Sequence, residues 1–220
     1  MSLIARLYDP LGLISPFIMY AKILFQEIWR LGLDWDEVLP DELQLKFKHW
    51  ICDIPEIKTL NVNRSYFAGQ SLNNVSGLEV HAFSDASEKG YGTCVYLRKP
   101  NIDGSFQVSF VMARAKVAPI KRVTLPRLEL LGALLSARLI PYVKSTLNLD
   151  DNVPVFCWTD STVTLSWIKG DPSKWKMFVA NRVTEIHSLT SPCDWYHCPG
   201  KCNPSDLTTR GALCFTDYFQ

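Results

Sequence analysis

Four acidic residues, Asp85, Glu129, Asp160 and Asp206, occupy settings in which a carboxylate can do chemistry. Asp85 and Asp160 each follow an apolar run that reads as a strand, Glu129 opens a helical stripe, and Asp206 follows an Asn-Pro turn. Taken singly, each has an ordinary structural explanation. Asp85 suits a turn in Ser-Asp-Ala-Ser, Asp160 suits a helix cap before Ser161, and Glu129 and Asp206 suit the first turn of a helix. Taken jointly they read differently. Neighbouring parallel strands lie ~5 Å apart, which would bring the strand ends carrying Asp85 and Asp160 side by side. Gly132, Ala133 and Ser136 make one face of the Glu129 helix small enough to lie close on a sheet and aim the acid at the same point. Carboxylates gathered this closely stay ionised only beside a cation, and oxygen-only ligands select a hard divalent ion, Mg²⁺ or Mn²⁺. Two such ions ~4 Å apart are the device for in-line attack on a phosphodiester. Nuclease chemistry is the expectation.

The elements that must position these acids follow from periodicity. Glu79–Ser84, Gly92–Arg98 and Phe106–Lys116 read as three strands joined by short connections, hence an antiparallel meander. A helix then opens at Thr124 or Leu125 with Pro126 in its first turn, and its stripe Leu128, Leu131, Leu135 and Leu139 is expected to stop at Pro141. Val153–Thr159 reads as a strand, Ser161–Ile168 and Ser173–Leu189 as helices, Asp194–His197 as a last strand and Pro204–Thr209 as a final helical turn. The order βββαβααβα predicts a mixed sheet with helices on its faces. Upstream, Tyr20–Leu31 and Asp41–Ile51 carry helical apolar spacing and no chemical motif, which predicts a small helical appendage. The polar run Asn61–Gly77, with Gly69, Asn73 and Asn74, marks the boundary between the two units.

Composition narrows the class. The 220 residues are 47% hydrophobic and 20% charged, which excludes a disordered chain, and the longest apolar stretch, Leu11–Phe25, is broken by Pro16 and Lys22 and is too short to span a bilayer. Seven scattered cysteines form no disulfide framework, and the cluster Cys193, His197, Cys198, Cys202 lacks the spacing of a zinc site. No secretion signal is apparent, so a cytoplasmic location is expected, with the nucleus left open. Net charge is only +1, yet its distribution is uneven. Asp34–Glu56 holds seven acids against Lys46 and Lys48, whereas Val111–Leu149 holds seven cations against Glu129 alone. The basic region suits contact with phosphates, although a solvated face explains it equally well.

The motifs Phe83-Ser84-Asp85-Ala86-Ser87 with Gly90 and Gly92, Leu128-Glu129-Leu130-Leu131, Trp158-Thr159-Asp160-Ser161, and Asn203-Pro204-Ser205-Asp206 with Arg210-Gly211, in this order, resemble a retroelement ribonuclease H domain. Tyr8-Asp9-Pro10-Leu11-Gly12-Leu13-Ile14-Ser15-Pro16, Leu31-Gly32-Leu33-Asp34-Trp35-Asp36 and the stretch Trp175–Val183 are similar to BEL/Pao LTR retrotransposon polyproteins. The resemblance implies an α/β fold, a ribonuclease H-like mixed five-stranded sheet with helices on both faces, preceded by a small helical appendage. It divides the chain into residues 1–72, resembling the thumb or connection region after a reverse transcriptase, and residues 73–214, the ribonuclease H-like domain. It implies two Mg²⁺ ions, with Mn²⁺ as substitute, held by Asp85, Glu129, Asp160 and Asp206. Asp85 would bridge both ions, Asp206 would help hold the ion at the attacking water, and Glu129 and Asp160 would hold the ion at the leaving group. Glu129 would also meet a ribose 2′-hydroxyl. Where many such enzymes carry a mobile histidine, this chain has Lys201, with His197 slightly upstream, and these two are the candidates for proton transfer.

The implied partner is an RNA–DNA hybrid, with Arg114, Lys116, Lys121, Arg122, Arg127, Trp175 and Lys176 as candidate contacts and an upstream reverse transcriptase region as a second partner. Trp158 and Trp167 read as core residues. No Tyr-x-Asp-Asp pair occurs, so no polymerase active site is expected in the chain, which reads as a piece or relic of a longer polyprotein. Two other readings stay open: a catalytically silent nucleic-acid-binding or assembly module, and transposase or integrase chemistry, which the ending Asn-Pro-Ser-Asp disfavours.

Overall fold

The computed structural model describes residues 4, 6–34, 36–57, 59–67, 71–72 and 75–211. The boundary residues Gly69, Asn73 and Asn74, and residues 212–214 at the end of the second expected unit, lie outside the described residues. Helices α1 (Ser15–Leu31) and α2 (Asp41–Ile57) come first. Strands β1 (Glu79–Ala86), β2 (Gly90–Pro100) and β3 (Phe106–Val117) follow, then α3 (Leu125–Thr146), β4 (Val155–Thr159), α4 (Thr162–Lys169), α5 (Met177–Leu189), β5 (Trp195–His197) and α6 (Asp206–Arg210).

The strands form one five-stranded sheet in the order β3-β2-β1-β4-β5. β1, β2 and β3 are antiparallel neighbours, while β4 and β5 run parallel to β1. The observed architecture is the mixed sheet that the sequence resemblance implies. Alternation along the strands sends Val80, Ala82, Val95 and Leu97 to one face, where they pack with Leu130, Ala133 and Ala137 of α3 and Val183 and Ile186 of α5 in the main core. On the other face α6 closes over β2, leaving no room for a Cβ at Gly92, which would overlap Thr208 Oγ1. The rest of that face carries a ladder of rings. His81 stacks on Phe156 at 4.9 Å, Phe83 on Trp158 at 6.0 Å, and Trp158 meets Tyr196 at 5.4 Å. Trp158 is therefore a half-buried member of this ladder and not the core residue expected of it, whereas Trp167 packs against the main core.

A second, smaller core of Ile14, Phe17, Ala21 and Trp50 joins α1 to α2. The Trp50 indole N–H donates to the Phe17 carbonyl at 3.0 Å, so the buried polar edge of that ring is satisfied. Helix α1 begins earlier than its apolar stripe suggests, because Asp9 accepts from the Leu13 and Ile14 amides at 2.8 and 2.9 Å and Pro16 fits the first turn. Two other helices outrun their expected stops. α2 passes through Pro55 and α3 through Pro141. In α3, Ile140 and Val143 on either side of the proline are buried in the core, and that burial outweighs a missing backbone hydrogen bond. The expected helix Ser173–Leu189 is instead a single 3₁₀ turn, Pro172–Lys174, an extended Trp175–Lys176, and then α5.

Candidate active site

The parallel pairing of β1 with β4 ends at Ser84 opposite Thr159, so Asp85 and Asp160 are the next residues on adjacent strands. The sequence spacing predicts this placement. Glu129 arrives from α3, which lies close because position 132 has no side chain: a Cβ on Gly132 would stand 2.8 Å from the Asp85 carbonyl oxygen. Deeper in the same contact, Thr93 and Ser136 share a hydroxyl hydrogen bond at 2.5 Å. Asp206 arrives from α6, whose preceding loop is anchored by Asn203. Its buried side chain donates to the Ser84 carbonyl at 2.9 Å and accepts from the Ser205 amide at 3.1 Å. Ser87 ties the other end of α6 to β1 by donating to the Thr209 carbonyl at 3.0 Å.

Asp85 is 5% exposed. Burial, with the charges of Asp160 and Asp206 beside it, pushes its carboxyl up from 3.8 to about 7, against the opposing hydrogen bond donated by the Thr209 hydroxyl. Glu129 is shifted upward as well, by burial and by Asp160, while the Ser161 hydroxyl donates to its Oε2 and opposes the shift. Asp160 is thus the neighbour shared by Asp85 and Glu129, and Asp206 is a second charged neighbour of Asp85. Asp206 Oδ1 is 2.7 Å from Arg210 Nε, one helical turn on. No lysine or arginine among the described residues is ion-paired to Asp85, Glu129 or Asp160.

The convergence is looser than expected in one respect. Among the described residues no three acids stand where they could jointly hold one ion. Like charges repel, and the carboxyls of Asp85 and Glu129 have each turned to a hydroxyl. The donor set nevertheless fits a hard cation, because Asp160 Oδ1 is buried and meets no hydrogen-bond donor. Thr209 and Ser161, which orient two of the acids, were given no role by the sequence; their signals are that Ser161 directly follows Asp160 within a quoted motif and Thr209 comes three residues after Asp206.

The remaining expected residues fall in several places. His197 ends β5, is exposed, and pairs through its backbone with Thr159, at the same end of the sheet as the acids. Lys201 is exposed in the 3₁₀ turn Gly200–Cys202, which runs against Asp160: a Cβ on Gly200 would stand 3.3 Å from Asp160 Oδ2. Arg114 and Lys116 project from the edge strand β3, and Lys121 and Arg122 from the β3–α3 loop, all exposed. Arg127 turns away to sit 4.9 Å over the Phe178 ring. Lys176 is exposed at the start of α5. Trp175 corrects an expectation, because it packs against the main core with its indole N–H buried, and a Cβ at Gly170 would lie 3.2 Å from its ring. It forms part of the wall and is no freestanding stacking surface.

Comparison with known proteins gives one family. The model described as "Pao retrotransposon-like RNaseH-like domain" matches residues 1–161. No curated protein matches the chain. Among solved structures, the chain is similar to the N-terminal RNase H domain of Rv2228c from Mycobacterium tuberculosis, solved as a fusion with maltose-binding protein, at 14% identity over 64% of this chain and 90% of that one, with a TM-score of 0.37. It is similar to RNase H1 from the halophilic archaeon Halobacterium salinarum NRC-1 at 13% identity over 58% and 89%, TM-score 0.35. It is also similar to LC11-RNase H1, solved in complex with an RNA/DNA hybrid, at 11% identity over 57% and 88%, TM-score 0.39.

Proposed function

This chain belongs to the Pao retrotransposon-like RNaseH-like domain family, and from that membership and its four-acid site we propose that it hydrolyses the RNA strand of RNA–DNA hybrids. The observation that carries the proposal is that buried Asp85 and half-buried Asp160 follow the last paired residues of two adjacent parallel strands, with neither ion-paired to a lysine or arginine among the described residues and one Asp160 oxygen without a donor. Such a site is costly to maintain for packing alone and is relieved by a divalent cation. Asp85, Glu129, Asp160 and Asp206 would hold two Mg²⁺ ions, with Mn²⁺ as substitute. When bound, the ions supply charge stabilisation for the attacking and departing oxygens.

The chain's own residues do the rest of the positioning. Thr209 and Ser161 hold the carboxyls of Asp85 and Glu129 in orientation, Asn203 fixes the loop that presents Asp206, and Arg210 balances part of its charge. Arg114, Lys116, Lys121 and Arg122 take phosphates, with Arg127 and Lys176 at the margin. His197 or Lys201, both exposed at the site's end of the sheet, exchanges a proton with the product oxygen or with solvent. In the same reading, residues 1–72 derive from the region after a polymerase and 73–214 form the nuclease. Exposed Trp29 and Leu45 on α1 and α2 suit docking against an upstream reverse transcriptase region.

The test is cleavage of a labelled hybrid, beside single-stranded RNA and duplex DNA, with Mg²⁺ or Mn²⁺. The parent should cut only the RNA of the hybrid, and Asp85→Asn should lower the rate by at least about 10²-fold while leaving the circular dichroism unchanged. One observation favours a second reading, that of a silent binding module: among the described residues no three acids stand ready to share an ion. Binding of the hybrid without cleavage at any Mg²⁺ or Mn²⁺ level would select it.

A further inference from the structure

At the acid-bearing end of the sheet the appendage and the nuclease module enclose a cleft of about 740 Å³. One wall is α1, through Gln26, Glu27 and Arg30; another is the β1–β2 turn, through Lys89; the third is the β3–α3 loop, through Arg122. Leu128 also lines it, and the next residue in α3 is Glu129. The β1–β2 turn follows Asp85 by a few residues. The cleft thus borders, in chain order, the elements that carry Asp85 and Glu129, although none of the four acids lines it.

Its shape is held from the α1 side. Lys22, Gln26 and Arg30 recur at four-residue spacing and form one stripe of the helix, and the Gln26 amide donates to the Ala118 carbonyl, fastening the stripe to the start of the β3–α3 loop. Arg30, Lys89 and Arg122 have no ion pair among the described residues. Of the two acids in the lining, Glu27 has Lys46 Nζ 3.9 Å away, so its charge is partly answered from outside the cleft, while Glu88, beside Lys89, is exposed and has no ion pair among the described residues. The result is a concave strip with apolar patches and three unpaired cations, each contributed by a different element, against one unpaired acid, Glu88. A sugar–phosphate backbone, apolar along its sugars and anionic at regular intervals, has the matching chemistry.

We infer that this cleft holds the phosphodiester backbone of the hybrid beyond the cleavage point, which makes α1 part of the substrate track and adds Arg30 and Lys89 to the residues that grip it. The inference rests on the hybrid-cleaving function proposed above and gives the N-terminal helices a task in it.

Binding of a fluorescently labelled RNA–DNA hybrid to the full chain, measured by anisotropy in EDTA across a salt series, tests it. Arg30→Ala combined with Lys89→Ala should weaken binding about tenfold or more at moderate salt and make the dependence of log K on log salt shallower by roughly 0.9 for each phosphate that the protein no longer neutralises. Lys48→Ala with Arg64→Ala removes the same charge at exposed positions that do not line the cleft and should have a smaller effect. Charge reversal at a single position, Arg30→Glu, should weaken binding further than Arg30→Ala. If the parent binds and cuts the hybrid but the cleft variants match it in affinity and slope, or match the Lys48 and Arg64 control, the cleft has no such role and the cleavage reading survives. A parent that binds no hybrid at low salt overturns both.

Discussion

Asp85 is held in a state that folding makes expensive to ionise. Its carboxyl titrates near 3.8 when free of the fold and at about 7 within it, so between those values the folded chain binds more protons than the unfolded one and stability falls as pH rises. Well below pH 3.8 both states carry the proton and no penalty exists; well above pH 7 it is complete. The slope inside the window is at most roughly 1.4 kcal/mol per pH unit. Asp85→Asn removes the titration while keeping an oxygen that can accept from Thr209. In EDTA the variant should therefore melt at a higher temperature than the parent at pH 8, with the difference closing toward pH 4. Added Mg²⁺ should raise the parent's melting temperature and leave the variant's nearly unmoved. A pH-independent difference between the two would show that Asp85 is not strained by its charge. At this scale the sequence was informative about the acids and silent about their partners. An acid at a strand end announces itself by its contrast with the run before it, as Asp85 and Asp160 do. Thr209 and Ser161 are ordinary hydroxyl residues whose significance depends on which carboxyl the fold turns toward them.

Helix α3 delivers Glu129, and its distance from the sheet is set by Gly132. Two effects of Gly132→Ala oppose each other. Helix propensity favours alanine by about 1 kcal/mol, but the new Cβ would stand 2.8 Å from the Asp85 carbonyl oxygen and 3.4 Å from that of Gly92. Those are backbone atoms of the central strands and cannot swing aside, so the overpacking cost of about 1–3 kcal/mol decides the sign. The variant should unfold at lower urea than the parent. Because Glu129 sits one turn before the clash, hybrid cleavage should fall by more than the decrease in stability accounts for. An unchanged urea midpoint with full cleavage would mean that α3 tolerates the added methyl group. The small face of this helix was readable from Gly132, Ala133 and Ser136, and the meander was readable from its turns. The ends of helices were not, because Pro55 and Pro141 stop a helix only where nothing beyond them is worth burying, and Val143, two residues past Pro141, is 1% exposed in the main core. Trp175 misled in the opposite direction. Flanking lysines suggested a surface, but the ring turns inward against Gly170 and breaks the helix that periodicity predicted.

Across the whole molecule the question is whether the helical appendage stands apart from the sheet. It is fastened along one side. The Ala113 amide of β3 donates to the Leu11 carbonyl at 2.8 Å, and Gln26 holds the loop that follows β3. Gly90 at the start of β2 has no space for a side chain, since a Cβ there would overlap Met19 of α1. α1 also packs on α6, the element that presents Asp206. The smaller core is therefore a buttress for the acid-bearing end of the larger one, and the two should unfold together. Trp50 tests this, because it is fully buried, stacks on Phe17 at 4.9 Å and belongs to the smaller core rather than to the sheet core. Trp50→Ala should cost about 3–5 kcal/mol, and in native-state hydrogen exchange the amides of β1 and α3 should lose protection by an amount similar to those of α1 and α2. If β1 and α3 keep the parent's protection while α1 and α2 exchange freely, the appendage is an independent unit, and its influence on the acids must come through substrate alone.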